Sequence, residues 1–331
     1  MPLFGKRNTK SSKLTRIFFA TDLHGSEVCF RKFLNSPRYY QTNTLILGGD
    51  LTGKFVTPII KQNDGNYELE YLGKKTVTNS EEELKVLEKK LANMGAYSFR
   101  TTQNEVEELR ANPQKVKERF NGLMAERLTS WVKMADEVSK TSGVRIYMSG
   151  GNDDEYFVED ILKNASSVVN TNDQVVDIDG SHEMISCAYS NITPFKCPRD
   201  IPEEELMGKI EEMATKLQNP QNAMFNLHVP PIDSGLDLCP KVDTSTNPPK
   251  LLIQNGAILQ YSGGSTSVRA ALEKYQPLAG LHGHIHESSG VKEIGRTTCF
   301  NPGSEYGEGV LRGFIITLSD KKVASYQLVS G

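Results

Sequence analysis

The stretch RIFFATDLHG, Arg16 to Gly25, passes from an apolar run into a polar turn that carries Asp22 and His24. The same form recurs in TLILGGDLTG, Thr44 to Gly53, and in VRIYMSGGNDD, Val144 to Asp154. Apolar runs that end in glycine and acids are typical of buried strands with polar loops at their carboxyl ends. In open α/β sheets that edge is where ligands bind. The three stretches therefore predict an α/β fold with a site at the strand ends.

Two later apolar runs also end in polar residues. AMFNLHVPP ends at His228, and LAGLHGHIHES carries His284 and His286. Four of the six histidines in the chain thus lie at predicted strand ends, whereas His182 is expected to be structural. The residues collected at these ends are Asp22, His24, Asp50, Asn152, His228, His284 and His286. Mixed nitrogen and oxygen clusters of this kind suit borderline divalent cations, so the sequence predicts a metal site.

The spacing of these residues has a physical reason. In an extended segment residues i and i+2 point to the same side, so DLH and HIH can each present two ligands. Asp50 can bridge two cations, and Asn152 adds an oxygen ligand without further negative charge. Two cations about 3.5–4 Å apart can bind a phosphoryl oxygen and lower the pKa of a bridging water.

Composition narrows the class of protein. The 331 residues have a formal charge of −3 and a pI near 6.1, which disfavours nucleic acid as a partner. No apolar run approaches the length of a membrane span, so no membrane role is expected. Five scattered cysteines without a CxxC pair predict reduced thiols and a cytoplasmic location. The basic residues 1–14 are predicted to form a flexible, solvated tail.

Residues 15–331 are predicted to form one domain, interrupted by a mainly helical insertion at about 55–142. Within it, Ser80 and Glu83 predict a capping box, and Asn112 and Pro113 predict the start of a longer helix. The insertion could cap the site or pack against a partner, including a second copy of the chain. Residues 230–266 are expected to border the site as a loop or hairpin, and residues 291–329 to form antiparallel strands.

The ordered series D-x-H, G-D, G-N-x-D, H and G-H-x-H resembles the calcineurin-like metallophosphoesterase superfamily. In this chain the series consists of Asp22 and His24, Gly49 and Asp50, Gly151 to Asp154, His228, and Gly283 to His286. With the late NPGS, Asn301 to Ser304, the resemblance spans most of the chain outside the insertion. NITPFKCPRDIPEEEL and GHIHESSG resemble a poorly characterised prokaryotic branch.

The resemblance implies an α/β/β/α sandwich of two packed mixed β-sheets flanked by helices. It implies a first metal held by Asp22, His24 and His286, a second held by Asn152, His228 and His284, and Asp50 as the bridge. The metals would be manganese, iron or zinc, with manganese expected to support activity best. The implied reaction is hydrolysis of a small-molecule phosphoester, with diesters favoured, by in-line attack of a metal-bridging hydroxide.

One position departs from the superfamily pattern. Where G-N-H-D or G-N-H-E is usual, this chain has Asp153 in place of the histidine. An ionised carboxylate cannot protonate a leaving group, so substrates with good leaving groups are expected. It would also repel the phosphate unless it turns away or recruits a further cation. Asp153 and Asp154 are the candidate catalytic residues, and Asp154 is expected to orient a ligand or Asp153.

Two alternatives to the phosphoesterase stay open on the sequence. Asp153 and the large insertion are compatible with a scaffold that has lost efficient catalysis. A nuclease similar to the repair nucleases of the same superfamily is the other alternative, which the acidic pI disfavours.

Overall fold

The computed structural model describes residues 14–246 and 249–331. The predicted tail, residues 1–14, lies outside the described residues except for Leu14. The described part of the chain forms seven α-helices, which are α1 (Glu27–Tyr40), α2 (Glu81–Asn93), α3 (Gln103–Ala111), α4 (Pro113–Ser142), α5 (Phe157–Lys163), α6 (Glu203–Ala214) and α7 (Thr266–Tyr275). Two short 3-10 helices cover Pro220–Asn222 and Tyr306–Glu308.

The strands of the described residues are mostly short. They are β1 (Thr15–Ala20), β2 (Thr44–Leu47), β3 (Phe55–Lys61), β4 (Tyr67–Tyr71), β5 (Lys74–Thr78), β6 (Ala96–Thr102), β7 (Arg145–Met148), β8 (Val168–Asn170), β9 (Val175–Asp177), β10 (Glu183–Cys187), β11 (Ser190–Asn191), β12 (Asp200–Ile201), β13 (Met224–Leu227), β14 (Leu238–Pro240), β15 (Val242–Asp243), β16 (Lys250–Leu251), β17 (Ile253–Gln254), β18 (Ala257–Ile258), β19 (Gln260–Ser262), β20 (Ala279–Leu281), β21 (Gly290–Ile294), β22 (Thr297–Asn301), β23 (Arg312–Ser319) and β24 (Lys322–Ser330).

Two six-stranded sheets form the centre of the fold. The first has the order β24-β23-β1-β2-β7-β8, and the second has the order β21-β22-β20-β13-β10-β9. In the first sheet β1, β2, β7 and β8 run parallel, while β23 and β24 join antiparallel. In the second, β10, β13, β20 and β22 run parallel, with antiparallel β9 and β21 at the edges. Each sheet thus has four parallel strands whose carboxyl ends share one edge.

The apolar residues divide into three layers of core. One cluster joins the facing sides of the two sheets and includes Ile17, Phe19, Met224 and Phe300. A second packs α1, α4 and α5 against the outer face of the first sheet, and a third packs α6 and α7 against the second sheet. The period of two in a strand produces this division, since Ile17 and Phe19 face the other sheet while Phe18 faces the helices. The predicted α/β/β/α sandwich is therefore confirmed.

The segment predicted as a mainly helical insertion contains a sheet that the sequence did not reveal. Strands β5-β4-β3-β6 form a separate four-stranded sheet, which packs with α2 around its own small core. Strands such as KKTVT carry few apolar residues and bury little, so they lack the alternation that predicts a strand. The proposed division of the chain into a domain and an insertion stays a prediction.

The helix starts inside this segment show one correct and one wrong prediction. Asn112 is the N-cap of α4 and Pro113 its first residue, as predicted, with the Lys115 amide donating to the Asn112 side chain at 3.3 Å. Ser80 is the N-cap of α2 and its hydroxyl accepts from the Glu83 amide at 3.3 Å, as predicted, but the reciprocal bond is wrong, because the Ser80 amide donates to the Thr78 hydroxyl. The Glu83 carboxylate accepts instead from the Thr78 hydroxyl, at 2.5 Å.

Further expectations concern the rest of the chain. Residues 230–266 form short two-stranded pieces, β14–β19, β15–β16 and β17–β18, rather than one long hairpin. The antiparallel pairs β21–β22 and β23–β24 confirm the prediction for the end of the chain. All five cysteines are unpaired. Within residues 14–246 and 249–331, no helix has both the length and the apolarity that crossing a membrane requires.

Candidate metal centre

The seven predicted ligands lie together where the two sheets meet at their shared edge. Asp22 and His24 follow β1, Asp50 follows β2, and Asn152 follows β7, all in the first sheet. His228 follows β13, and His284 and His286 follow β20, in the second sheet. Asp22, His24, Asp50, Asn152 and His228 are buried, whereas His284 and His286 are partly exposed, the His286 side chain by 26%. The packing of the sheets thus brings residues from five loops into one site.

Asp22, His24 and His286 form a first group of donor atoms. The Nε2 atoms of His24 and His286 are 3.0 Å apart. Asp22 Oδ1 lies 3.4 Å from His286 Nε2 and 3.9 Å from His24 Nε2. Because three donor atoms face one point from different sides, this group could hold a divalent cation.

Asp50 lies between the two groups of candidate ligands. Its Oδ2 atom is 3.5 Å from His24 Nε2 and 3.4 Å from His228 Nε2. Asp22, Asp50 and His228 together form another cluster of metal-ligand geometry. A carboxylate within reach of donors on both sides is suited to bridging two cations.

Asn152 and His284 form the remaining part of the second group. His284 Nδ1 and Asn152 Oδ1 are 2.8 Å apart, and His284 Nε2 is 3.4 Å from the Ser190 hydroxyl. The Asn152 amide nitrogen donates to Asp200 Oδ1 at 2.9 Å, which turns the amide oxygen towards His284. Asp200 thereby orients a candidate ligand from outside the set that the sequence predicted.

The donor atoms fit a divalent metal on structural grounds. Nδ1 of His228 faces the Gly48 carbonyl oxygen at 3.4 Å, and Nδ1 of His24 faces that of Thr52 at 3.3 Å. Both contacts favour the tautomer whose Nε2 lone pair points into the site. Nε2 of His228 is buried and forms no hydrogen bond with the described residues. A buried ring nitrogen without a hydrogen bond, beside two carboxylates, is suited to a metal ion.

The electrostatics of the site favour ionised carboxylates. Burial raises the pKa of Asp22, but the hydrogen bond from His286 and the charge of His228 outweigh it and hold that pKa well below its usual range. Burial lowers the pKa of His284 to about 4, so this ring is neutral. Burial alone would lower the pKa of His228, but the negative charge of Asp50 outweighs burial and raises that pKa to about 9. A divalent cation beside Asp50 would compete with a proton for the His228 ring and favour its neutral form.

The backbone at the ligands is strained. Asp22, His24, Asp50 and His284 have φ angles of 54°, 42°, 48° and 66°, in the left-handed region. Such conformations are uncommon for residues with a side chain and cost roughly 1–3 kcal/mol each. Strain of this kind concentrates at functional sites, where the surrounding structure holds it in place. Four of the eleven described non-glycine residues with left-handed φ are thus candidate ligands at this edge, which supports it as the candidate functional site.

Gly151 lets two ligand loops approach closely, and this leads to a testable expectation. A Cβ atom there would collide with the backbone amide and carboxylate of Asp50. We expect Gly151→Ala to weaken manganese binding by about 10- to 100-fold, because Asp50 must move. Isothermal titration calorimetry on the chelator-treated protein measures this.

The control is Gly122→Ala, because Gly122 lies within α4 with open space around its Cα atom. Alanine there should leave manganese affinity unchanged and raise the free energy of unfolding by up to about 1 kcal/mol. Equal manganese affinity in Gly151→Ala and the parent protein would contradict the role assigned to this glycine.

Asp154 is buried behind the ligands and holds two of their loops together. Its carboxylate accepts hydrogen bonds from the amides of Leu51, Thr52 and Gly151, at 2.8–2.9 Å, and from the Thr52 hydroxyl at 2.6 Å. Burial and the charge of Asp50 raise the pKa of Asp154 to about 6. The residue orients the loops of Asp50 and Asn152, and it does not contact the open side of the site.

Asp153 pairs with the positively charged side chain of Lys54. The sequence left open whether Asp153 turns away from the phosphate or recruits a cation, and the structure shows the second arrangement. The Oδ2 atom of Asp153 forms an ion pair with the Lys54 ammonium group, and its Oδ1 accepts from the Cys197 thiol at 2.8 Å. Its backbone amide donates to Asp50 Oδ1 at 3.1 Å. Burial lowers the pKa of Lys54, but Asp153 and Asp50 raise it above the ordinary value. The position of the usual histidine is therefore occupied by a carboxylate paired with an ammonium group.

Sequence reasoning missed Lys54, Cys197, Asp200 and Ser190. Lys54 directly follows the G-D-L-T-G turn, so its position next to Asp50 was a signal that could have been used. Cys197 and Asp200 reach the site from a segment more than 40 residues beyond Asn152. No local pattern in the sequence indicates that contact.

The other residues considered for the site have supporting roles. His182 contacts Asp179 at 2.8 Å and the Ser319 carbonyl at 3.1 Å, far along the fold from the ligands, as expected of a structural histidine. His282 is buried with Nδ1 at 2.8 Å from the Leu227 carbonyl. The Ser304 hydroxyl donates to the Asp22 carbonyl at 2.7 Å and supports that turn.

The segment 55–142 supports the ligand loops from behind. The Arg127 guanidinium donates to the carbonyls of Gly25 and Ala96, at 2.8 and 3.0 Å, and lies over the Tyr97 ring. The Tyr97 hydroxyl accepts from the Gly53 amide at 3.0 Å. None of the described residues 55–142 lines the cavity above the metal centre. The segment thus contacts the turns after β1 and β2 without covering the cavity, and packing against a partner stays a prediction.

A cavity of about 760 Å³ opens from the candidate ligands. Its floor includes Asp50, Lys54, Asn152, Asp153, His284 and His286. One wall is residues 191–198, and the other comes from residues within 239–264. The volume is in the range of sites for small molecules. Residues 230–266 thus border the site, as the sequence predicted.

No protein-family model matches the chain. An uncharacterized protein of Methanocaldococcus jannaschii is 30% identical over 115 residues. That match covers 34% of this chain and only 44% of the curated relative's own length.

Two solved structures share the fold. One aligns with 96% of this chain and 99% of its own, with a TM-score of 0.55 and 14% identity. The protein TT1561 of Thermus thermophilus aligns over the same shares, with a TM-score of 0.53 and 11% identity. Both alignments cover nearly the whole of each chain, so the two proteins share the α/β/β/α sandwich of this chain. A solved archaeal phosphodiesterase also aligns, at a TM-score of 0.35 and 11% identity, which is too distant to support an inference. These similarities show the fold, and membership of the superfamily stays a prediction.

Proposed function

We propose that this protein is a dinuclear metal-dependent phosphoesterase that acts on small phosphodiesters. The observation that supports the proposal is the position of Asp50, whose carboxylate lies within 3.5 Å of the Nε2 atoms of both His24 and His228. Asp22 and His286 complete the first group, and Asn152 and His284 complete the second. A shared carboxylate between two donor groups is the arrangement that a pair of divalent cations requires.

The residues of the chain divide the chemistry between them. When bound, two divalent cations polarise a phosphoryl oxygen and activate water for in-line attack on phosphorus. Asp154 accepts hydrogen bonds from the loops of both Asp50 and Asn152 and so holds these two loops together. This contact fixes the distance between the two donor groups. Lys54 provides a positive charge on the cavity floor for a phosphate oxygen. Asp153, paired with that lysine, holds the ammonium group at the position of the usual histidine.

The charge on the floor favours diesters over monoesters. A monoester carries close to two negative charges at neutral pH, and a diester carries one. Asp153 lies on the floor, and Lys54 neutralises it without leaving a surplus of positive charge. The additional charge of a monoester is therefore less well compensated. We further propose manganese as the metal that best supports activity and a cytoplasmic location.

Metal removal and return tests the proposed activity. Protein treated with a chelator, then reloaded with manganese, iron(II) or zinc, is assayed on bis(p-nitrophenyl) phosphate and p-nitrophenyl phosphate. We expect no turnover without metal, restoration with manganese, and a kcat/KM for the diester about 10-fold above that for the monoester. The stripped sample is the control. The absence of turnover with all three metals on both esters would contradict the proposal.

The two alternatives give different results. A scaffold would show negligible turnover and would retain a co-purified partner in an Asp50→Asn variant. A nuclease would cleave single-stranded or branched DNA in a metal-dependent way, which we do not expect for a protein with pI near 6.1. Self-association through the segment 55–142 stays a prediction, and sedimentation velocity tests it.

A further inference from the structure

Large apolar side chains are exposed on both walls of the cavity. Ile192 and Phe195 on one wall are 61% and 64% exposed, and Leu251 and Tyr261 on the other are 49% and 36% exposed. We refer to the space between these four residues as the apolar pocket. Exposed apolar side chains gathered around one concave surface mark a binding site more often than a packing defect.

The apolar pocket is continuous with the metal centre. The first wall begins at Asn191, whose amide lies 3.5 Å from the Gly264 carbonyl of the second wall. Near its other end lies Cys197, whose thiol donates to Asp153 on the floor. A molecule in the pocket would therefore touch apolar side chains at one end and the candidate metal ligands at the other.

Resting on the proposed function, we infer that the apolar pocket binds an aromatic ester group of the phosphodiester substrate. The floor of carboxylates, imidazoles and Lys54 suits the phosphate with its cations, while Ile192, Phe195, Leu251 and Tyr261 suit an uncharged group attached to it. Phe195 and Tyr261 are rings, and aromatic groups gain about 0.5–1.5 kcal/mol from ring contacts beyond the area that they bury.

The shape of the site favours a small molecule over a protein surface. The cavity holds about 760 Å³, and its lining combines the candidate metal ligands and Lys54 with apolar side chains, which suits a small molecule with an anionic group at one end. A second copy of the chain, or an apolar peptide, would cover the exposed side chains without needing the phosphate-binding end.

The test uses two inert monoanions that differ by one ring, methyl(phenyl)phosphinate and dimethylphosphinate. Their binding to manganese-loaded protein is measured by isothermal titration calorimetry. We expect the phenyl compound to bind at least about 10-fold more tightly than the dimethyl compound, because the ring is removed from water. Both compounds have only P–C bonds besides the phosphinate oxygens, so neither is hydrolysed during the measurement.

Variants then locate the ring. In Ile192→Ala/Phe195→Ala the preference should fall below about 3-fold, while the affinity for dimethylphosphinate stays the same within about 2-fold. Both side chains are mostly exposed, so their removal leaves the core intact. Tyr39→Ala is the matched control, since Tyr39 is an aromatic residue that is 76% exposed outside the cavity, and it should keep the full preference.

Three outcomes would overturn the inference. These are equal binding of the two phosphinates to the parent protein, an unchanged preference in the double variant, and a dimer in sedimentation velocity that the double variant abolishes. The same proteins are assayed on bis(p-nitrophenyl) phosphate. A ring preference without any turnover would refute the proposed enzyme while supporting the pocket, so the two failures are distinguishable.

Discussion

Replacing Asp50 with asparagine is expected to lower the kcat of manganese-dependent diester hydrolysis by at least about 1000-fold, since metal-ion stabilisation is worth several kcal/mol. Asp50 Oδ2 is the atom shared by the His24 and His228 sides of the site. Asparagine keeps the shape but removes the negative charge that two adjacent cations require. Steady-state kinetics give kcat, and elemental analysis of the dialysed protein gives the number of manganese ions bound, which should fall from two to one or fewer.

The same substitution should leave the fold intact. Asp50 Oδ1 accepts from the Asp153 amide at 3.1 Å, and the side-chain oxygen of asparagine can accept that bond as well. Thermal unfolding of the metal-free forms should therefore be similar. Asp160→Asn removes an exposed carboxylate on α5, 77% exposed, and serves as the control with unchanged kcat. An Asp50→Asn protein that binds two manganese ions and keeps kcat within 10-fold of the parent would refute the bridging role.

Local sequence signals carried most of the prediction of the site, and the reason is structural. Parallel strands place their carboxyl ends at one edge, so a ligand is recognisable from its own strand without knowledge of its neighbours. DLH after β1 and HIH after β20 are 262 positions apart, yet the Nε2 atoms of His24 and His286 lie 3.0 Å apart. Once the sandwich forms, the convergence of these loops follows from strand order alone.

The contacts that could not be predicted are those between loops of different strands. Asp200 orients Asn152, and Cys197 contacts Asp153. Both belong to a segment that has no hydrophobic periodicity and no sequence motif from which these contacts could be predicted. Side-chain hydrogen bonds across 40 or more residues depend on how loops fold over each other. The sheet β5-β4-β3-β6 was not predicted for a different reason, since β4 and β5 each bury only one residue and so lack the alternation of a half-buried strand.

Asp153, at the position where the superfamily pattern has a histidine, links the fold to the proposed chemistry. The backbone of Asp22, Asp50 and His284 has left-handed φ angles, and Gly151 packs directly against Asp50. These constraints limit how far the candidate ligands can move. A carboxylate at position 153 beside this rigid anionic cluster is unfavourable unless a cation compensates it. Lys54 supplies that charge from the turn after Asp50. Asp153 and Lys54 therefore form one unit, an ion pair that faces the cavity.

Replacing Lys54 with methionine is accordingly expected to lower kcat/KM for bis(p-nitrophenyl) phosphate by about 100-fold, the effect of removing one charge-stabilising donor. The substitution removes the ammonium group and leaves Asp153 as an uncompensated anion on the cavity floor. Lys54→Arg keeps the charge and should stay within about 10-fold of the parent, because arginine also pairs with carboxylates. Lys117→Met is the control, since Lys117 on α4 pairs at 3.1 Å with Glu155, which lies in the loop of Asp153 but outside the cavity.

A double-mutant cycle separates the contribution of the lysine from that of the pair. If Lys54 mainly neutralises Asp153, Lys54→Met/Asp153→Asn should recover about 10-fold of the loss in Lys54→Met, because the repelling anion is also gone. If the ammonium group also contacts the phosphate, the double variant should remain about 10-fold below the parent. We expect both effects together, so the two losses should not add. Strictly additive losses, with manganese affinity unchanged throughout, would contradict a functional ion pair, because residues that act as a unit couple in free energy.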